Sequence, residues 1–151
     1  MLQTLLMLNV LKALEMFYLA AHHSTKDYAL HLLYERLKAK LPGEIDSLSE
    51  LLISMDIMDA CSIVKAIEGI QEILALVEEP NIAISEFQVL DQALKLEGAL
   101  IEKMQFSTQE TTNEGIKNLV ATIAENHQTN IYLLKQSLKA NTILIPEPVA
   151  L

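Results

Sequence analysis

His22, His31, Glu35, Asp46 and Glu50 fall in one stretch of an otherwise apolar chain. Imidazole and carboxylate groups together are the ligands that borderline to hard divalent cations such as Fe²⁺, Mn²⁺ or Zn²⁺ take up. His31 and Glu35 are spaced i, i+4, and so are Asp46 and Glu50, which puts each pair on one helix face, one turn apart. On a single helix at about 100° per residue, Glu35 lies ~40°, Asp46 ~60° and Glu50 ~100° from His31. One stripe therefore carries four ligand-type side chains. The midpoints of the two pairs are about 15 residues apart, roughly 22 Å of helical rise, too far for one metal centre. A second, antiparallel copy related by a two-fold axis would bring Asp46 and Glu50 opposite His31 and Glu35. The spacing thus predicts two equivalent centres across a dimer interface.

This pattern resembles the Dps miniferritins, ferritin-like four-helix proteins that oxidise iron at sites shared between two subunits. Their motif places a His at the end of the first helix, then a His-x-x-x-Asp pair and an Asp-x-x-x-Glu pair on the second. Here the second-helix pattern reads His31-x-x-x-Glu35 and Asp46-x-x-x-Glu50 in matching register, with Glu35 keeping the carboxylate of the usual Asp. His22 matches the first-helix His by position, with His23 as the alternative. The short form His22-x-x-Thr25-x-x-Tyr28-Ala29-x-His31 is similar to a Dps-related family among phage proteins.

The resemblance implies an all-α, ferritin-like four-helix bundle with an additional helix between the second and third bundle helices. It implies Fe²⁺ held by His22, His31 and Glu35 of one chain and Asp46 and Glu50 of the other, in a di-iron or mono-iron centre, with Mn and Zn left open. Ferroxidase-type oxidation by O₂ or H₂O₂, iron storage and protection from oxidative stress would follow. It also implies a homo-oligomer, at least a two-fold dimer; a dodecameric shell, a shell of another size and a dimer alone all stay open. The competing reading is a non-catalytic helical assembly or interaction protein with a degenerate ferritin-like metal site, motivated by Pro42-Gly43 between the two pairs and by an apolar tail.

Helices must position these residues, and apolar spacing supplies them. Leu6, Val10, Leu14, Phe17 and Ala21 predict a first helix over residues 2–21, ended by His22-His23, with Ser24-Thr25 offering a capping hydroxyl to the next. The second begins near Lys26 or Asp27 and ends between Met55 and Met58. Proline removes a backbone bond and crowds the preceding turn, so it either kinks at Pro42 or restarts at Glu44. An additional amphipathic helix is expected over residues 59–79. Ser85-x-x-Gln88 is a capping box that opens a third helix to Phe106, with Phe87, Leu90, Leu94 and Leu100 on its stripe. Ser107 to Thr112 reads as a loop, and Thr111-x-x-Glu114 as a second capping box for a last helix to Lys139. These helices make one domain, residues 1–140. Residues 141–151, with Pro146 and Pro148, read as an extended apolar tail.

The other ferritin-like architecture uses Glu-x-x-His inside one bundle. The residues three before His22, His23, His31 and His127 are Leu19, Ala20, Tyr28 and Ala124, none of them Glu, so a centre within one subunit is disfavoured. His127 reads as a surface residue in a polar stretch, Tyr28 and Tyr34 as core or interface aromatics, and Cys61 as packing.

Composition agrees with packed helices: 51% apolar residues but 5% aromatic, with no Trp. A net charge of −9 and first eleven residues without a basic side chain argue against DNA coating, which needs a basic patch or arm. A lone cysteine excludes an intrachain disulfide framework and fits a reducing compartment. The apolar N-terminus lacks a positively charged start, and Asn9, Lys12 and Glu15 interrupt it, so neither a signal sequence nor a membrane span is expected. The expected location is cytoplasmic.

Overall fold

The computed structural model describes residues 2–75 and 77–144, which contain α-helices and no strand. The first helix, α1 (Leu2–Ser24), runs three residues beyond the expected end, so that His22 and His23 occupy its last turn. Its apolar residues pack all round: Met7, Leu8, Leu11, Leu14, Phe17 and Tyr18 are each at most 1% exposed. This helix is long and apolar enough to cross a membrane, yet 56% of the relevant window is buried inside the bundle. Its hydrophobicity serves the core.

Three residues turn the chain into α2 (Tyr28–Ala39). Its N-cap is Asp27, whose Oδ1 accepts the Leu30 amide at 3.1 Å, rather than Ser24 or Thr25. Thr25 instead accepts the Asp27 amide and donates to Glu86, tying the turn to a later helix. At Lys40 the helix is interrupted, and α3 (Leu41–Ser54) restarts earlier than Glu44. Lys40 stays right-handed (φ −84°, ψ −19°), and its carbonyl accepts the Glu44 amide at 3.1 Å. Pro42 sits in the first turn of α3, where a missing N–H is tolerated. Asp56 ends α3 in a left-handed conformation (φ 56°), with Ile57 N–H on Leu52 O and Asp56 N–H on Ile53 O. Those paired bonds form a Schellman cap.

The expected single helix over 59–79 is two shorter ones, α4 (Ala60–Glu68) and α5 (Gln71–Leu74), separated at the cap residue Gly69. Ile63 is buried and Ile67, Ile73 and Val77 pack on the core, so the apolar face is as expected although the helix is broken. Cys61 is exposed rather than packed.

The capping box Ser85/Gln88 opens α6 (Glu86–Glu110), four residues longer than expected. Phe87, expected on the inner stripe, is 42% exposed, whereas Leu90 and Leu100 are fully buried. The connection to α7 (Glu114–Leu144) is shorter than the expected loop. Asn113 Oδ1, not Thr111, accepts the Ile116 amide at the start of α7. This helix includes residues 141–144, expected in the tail; the rest of the tail, 145–151, lies outside the described residues.

Four legs make the bundle. α1 packs on α6, α6 on α7, α7 on α3, and α2 and α3 return to α1, while α4 and α5 lie against α1. Each fully buried Leu in this core contributes about 1.5–3 kcal/mol relative to an exposed one.

Candidate metal centre

The tight α1–α2 connection places the last turn of α1 beside the second turn of α2. His22 Nε2 and His31 Nε2 are 2.8 Å apart, with ring centroids 3.7 Å apart. His31 Nδ1 lies 3.1 Å from the carbonyl oxygen of His22. Only a protonated Nδ1 can donate there, which leaves a lone pair on His31 Nε2. His22 must then offer its proton from Nε2, and its Nδ1 is a bare, buried nitrogen without a partner. Burial holds the His22 imidazole below its usual range, with the neighbouring His31 and His23 rings adding to the effect. Neutral imidazole is the form that binds metal.

One helical turn after His31, Glu35 brings a carboxylate to the pair. One ligand atom each from His22, His31 and Glu35 fall within 4.8 Å of one another. His22 and His31 are half-buried and Glu35 is exposed, so the cluster opens to the surface. Bound nitrogens at about 2.0–2.1 Å from an ion sit somewhat further apart than 2.8 Å, so loading requires only a small parting of the rings. A cation would take the place of the shared proton. The donor set fits Fe²⁺, Mn²⁺ or Zn²⁺ and leaves coordination positions free.

His23 is exposed and stacks on His22 with centroids 5.4 Å apart; it is outside the cluster. Asp46 and Glu50 lie exposed on α3, and a single chain does not bring them to His22, His31 and Glu35. Tyr28 is 75% exposed and Leu32 47% exposed on α2, flanking His31.

A second polar cluster, missed at the sequence level, occupies the bundle core. His127, expected at the surface, is fully buried on α7. Its Nδ1 is 2.6 Å from Glu97 Oε2 on α6, and its Nε2 is 2.9 Å from Glu44 Oε1 on α3. Tyr18 on α1 donates to Glu97 Oε1 at 2.5 Å, and Asn130 Nδ2 approaches the same oxygen. Burial alone would push His127 down, but hydrogen bonds to Glu44 and Glu97, with both negative charges, push it up to about 9. The imidazolium is the cation between two carboxylates on opposite edges of its ring. They are too far apart to share one ion in this arrangement. The signal was present in the spacing: Ile116, Val120, Ile123, His127, Asn130 and Leu134 step by three and four along the buried side of α7.

An open cavity of about 430 Å³ between α1 and the α5 segment is lined by Met16, Phe17, Ala20, Leu74, Val77 and Pro80 among others. Glu79 adds one carboxylate to this mainly apolar lining, and the histidines lie elsewhere.

Among solved structures, the fold is similar to the X-ray structure of Dps from Thermosynechococcus elongatus. The TM-score is 0.67 at 22% identity, over 90% of this chain and 88% of that one. No protein-family model matches the sequence, and no curated protein matches it. The structural likeness shows an all-α, ferritin-like four-helix bundle, here with added helical structure between the second and third legs.

Proposed function

We propose that this chain is a Dps-like iron-binding protein, with Fe²⁺ as its substrate, oxidised at a centre shared by two copies. The observation that carries the reading is the meeting of His22, His31 and Glu35, with the two histidine Nε2 atoms 2.8 Å apart and one ligand atom of each residue within 4.8 Å of the others. The two imidazoles and one carboxylate fill part of a coordination sphere. Asp46 and Glu50, exposed on α3 of a second copy, supply further carboxylates. Exposed Tyr28 and Leu32 beside the site suit that contact between copies.

In this reading each residue has a role in chemistry at the ion. His31 is pre-oriented by its Nδ1 bond to the His22 carbonyl, which aims Nε2 at the ion and keeps the lone pair there. Carboxylates favour the product Fe³⁺, a harder and more highly charged ion, over Fe²⁺. The open side admits O₂ or H₂O₂. Oxidised iron would collect on the acidic surface of an assembled homo-oligomer, in keeping with the net charge of −9. The same acidity disfavours DNA as a partner, and the composition suits the cytoplasm.

Anaerobic Fe²⁺ titration followed by O₂ or H₂O₂, in wild type and in His31→Ala and Glu35→Ala, tests the reading. Wild type is expected to bind iron and oxidise it faster than free solution, and both variants to lose that advantage. Equal oxidation by wild type and both variants would overturn it.

A further inference from the structure

The turn between His22 and His31 comprises residues 25–27, and it is tied from outside its own helical hairpin. Thr25 closes the backbone ladder of α1, its amide donating to Ala21 O at 3.0 Å. Its hydroxyl donates to Glu86 Oε1 at 2.8 Å, and the Lys26 amide donates to the same oxygen at 3.3 Å. The Thr25 hydroxyl oxygen accepts the Asp27 amide at 3.2 Å. Asp27 then starts α2: its Oδ1 accepts the Leu30 amide, and its carbonyl accepts the His31 amide at 2.9 Å. An unbroken run of hydrogen bonds leads from Glu86 to the backbone of His31.

Glu86 has no part in capping its own helix. It is the first residue of α6, where Ser85 and Gln88 already form the capping box. An acidic residue at such a place offsets the helix dipole. Here the half-buried carboxylate also reaches a turn 61 residues back along the chain.

We infer that Glu86 is a positioning residue for the metal centre, holding the α1–α2 turn through Thr25 so that His22 and His31 meet. This rests on the proposed binding of iron at His22, His31 and Glu35.

Metal ligands tolerate little misplacement, about 0.2 Å in a coordination distance. His31 stands four residues beyond Asp27, about 6 Å of rise, so a swing of roughly 10° at the turn displaces it by about 1 Å. Leu30, Tyr34 and Leu37 bury the inner side of α2. Such apolar packing is non-directional and leaves that swing open. Hydrogen bonds weaken steeply when bent, so the pair on Glu86 Oε1 fixes the angle that packing does not.

The test titrates the whole chain with Co²⁺ alone and follows its visible absorption. In the metal-free protein, ¹⁵N spectra follow the proton shared by His22 Nε2 and His31 Nε2 through its coupling to both nitrogens. Glu86→Ala and Thr25→Val are expected to weaken Co²⁺ binding about tenfold, as loss of an outer partner does, and to abolish the two-nitrogen coupling. Glu86→Gln keeps an oxygen that accepts both bonds, so it is expected to restore both readouts. Asp59→Ala removes the cap of α4, whose Oδ1 accepts the Ser62 amide at 2.7 Å, and controls for a general loss of stability. It is expected to leave both readouts unchanged. Wild-type binding and coupling in Glu86→Ala and Thr25→Val would overturn the inference alone. So would a Glu86→Gln variant as weak as Glu86→Ala, or an Asp59→Ala variant that loses as much. A wild type that binds no Co²⁺ would sink the proposed function. Coupling in the metal-free variants then decides the role of Glu86: its loss in Glu86→Ala upholds the positioning, and its survival overturns it.

Discussion

The Nε2 atoms of His22 and His31 lie 2.8 Å apart, joined by one proton, with Glu35 beside the pair. The backbone carbonyl of His22 fixes the tautomer of His31, so one histidine orients the other. In ¹⁵N spectra recorded during titration with diamagnetic Zn²⁺, both Nε2 resonances should shift while His31 Nδ1 stays protonated. Shifts confined to His23 and His127 would mean that the pair is not the ligand set.

A shared site has a genetic signature. If each centre takes His31 from one chain and Glu50 from the other, His31→Ala and Glu50→Ala homodimers contain no complete centre. In the mixed dimer one centre carries both defects and the other none, so up to about half the wild-type activity should return. Co-expression with two tags and double purification isolates that species. Activity no higher than in either homodimer, with assembly intact, would show that the ligands do not meet across the dimer.

His127 sets the alkaline limit of stability. Its folded value of about 9 stands above the ordinary 6.5, so its contribution is fully present below about pH 6.5 and is lost as pH rises through about 9. The difference corresponds to about 3 kcal/mol, to be read from denaturant midpoints between pH 7 and pH 10. His127→Gln should flatten that decline. A wild-type decline identical to that of His127→Gln would remove His127 as its cause.

The same cluster predicts which histidine the fold needs. Truncating His127 to Ala leaves Glu44 and Glu97 facing each other in the core without a cation, a loss of about 3–5 kcal/mol. Half-buried His31→Ala should cost less than about 1 kcal/mol. Thermal unfolding of the two variants side by side checks the order, and the reverse order would contradict it.

The bundle was legible wherever one periodicity acted alone. Leu14, Phe17 and Ala21 marked the inner side of α1, and Ser85 with Gln88 marked the start of α6, because local hydrogen bonds decide both. His22, His31 and Glu35 were legible as a group because a short turn leaves few ways to join two helices. Helix ends were less legible: Thr111 and Asn113 both offer a capping oxygen, and packing rather than residue type chose Asn113. The core cluster was hidden because Glu44, Glu97 and His127 are far apart in sequence, and each looks like an exposed charge beside its polar neighbours. Only their shared positions on three buried stripes, at Glu44 with Leu48, Glu97 with Leu100 and His127 with Ile123, reveal that they face one another. Absence of Glu-x-x-His removed one metal motif, but it could not remove a buried carboxylate–imidazolium network that needs no metal.

The most direct measurement is anomalous diffraction at the iron edge from crystals soaked anaerobically in Fe²⁺. The account predicts a peak about 2–2.3 Å from Nε2 of both His22 and His31 and from a Glu35 oxygen, with Asp46 or Glu50 of a second copy closing the sphere. Iron bound between Glu44 and Glu97, or on the acidic surface with the His22–His31 pair still sharing its proton, would contradict it.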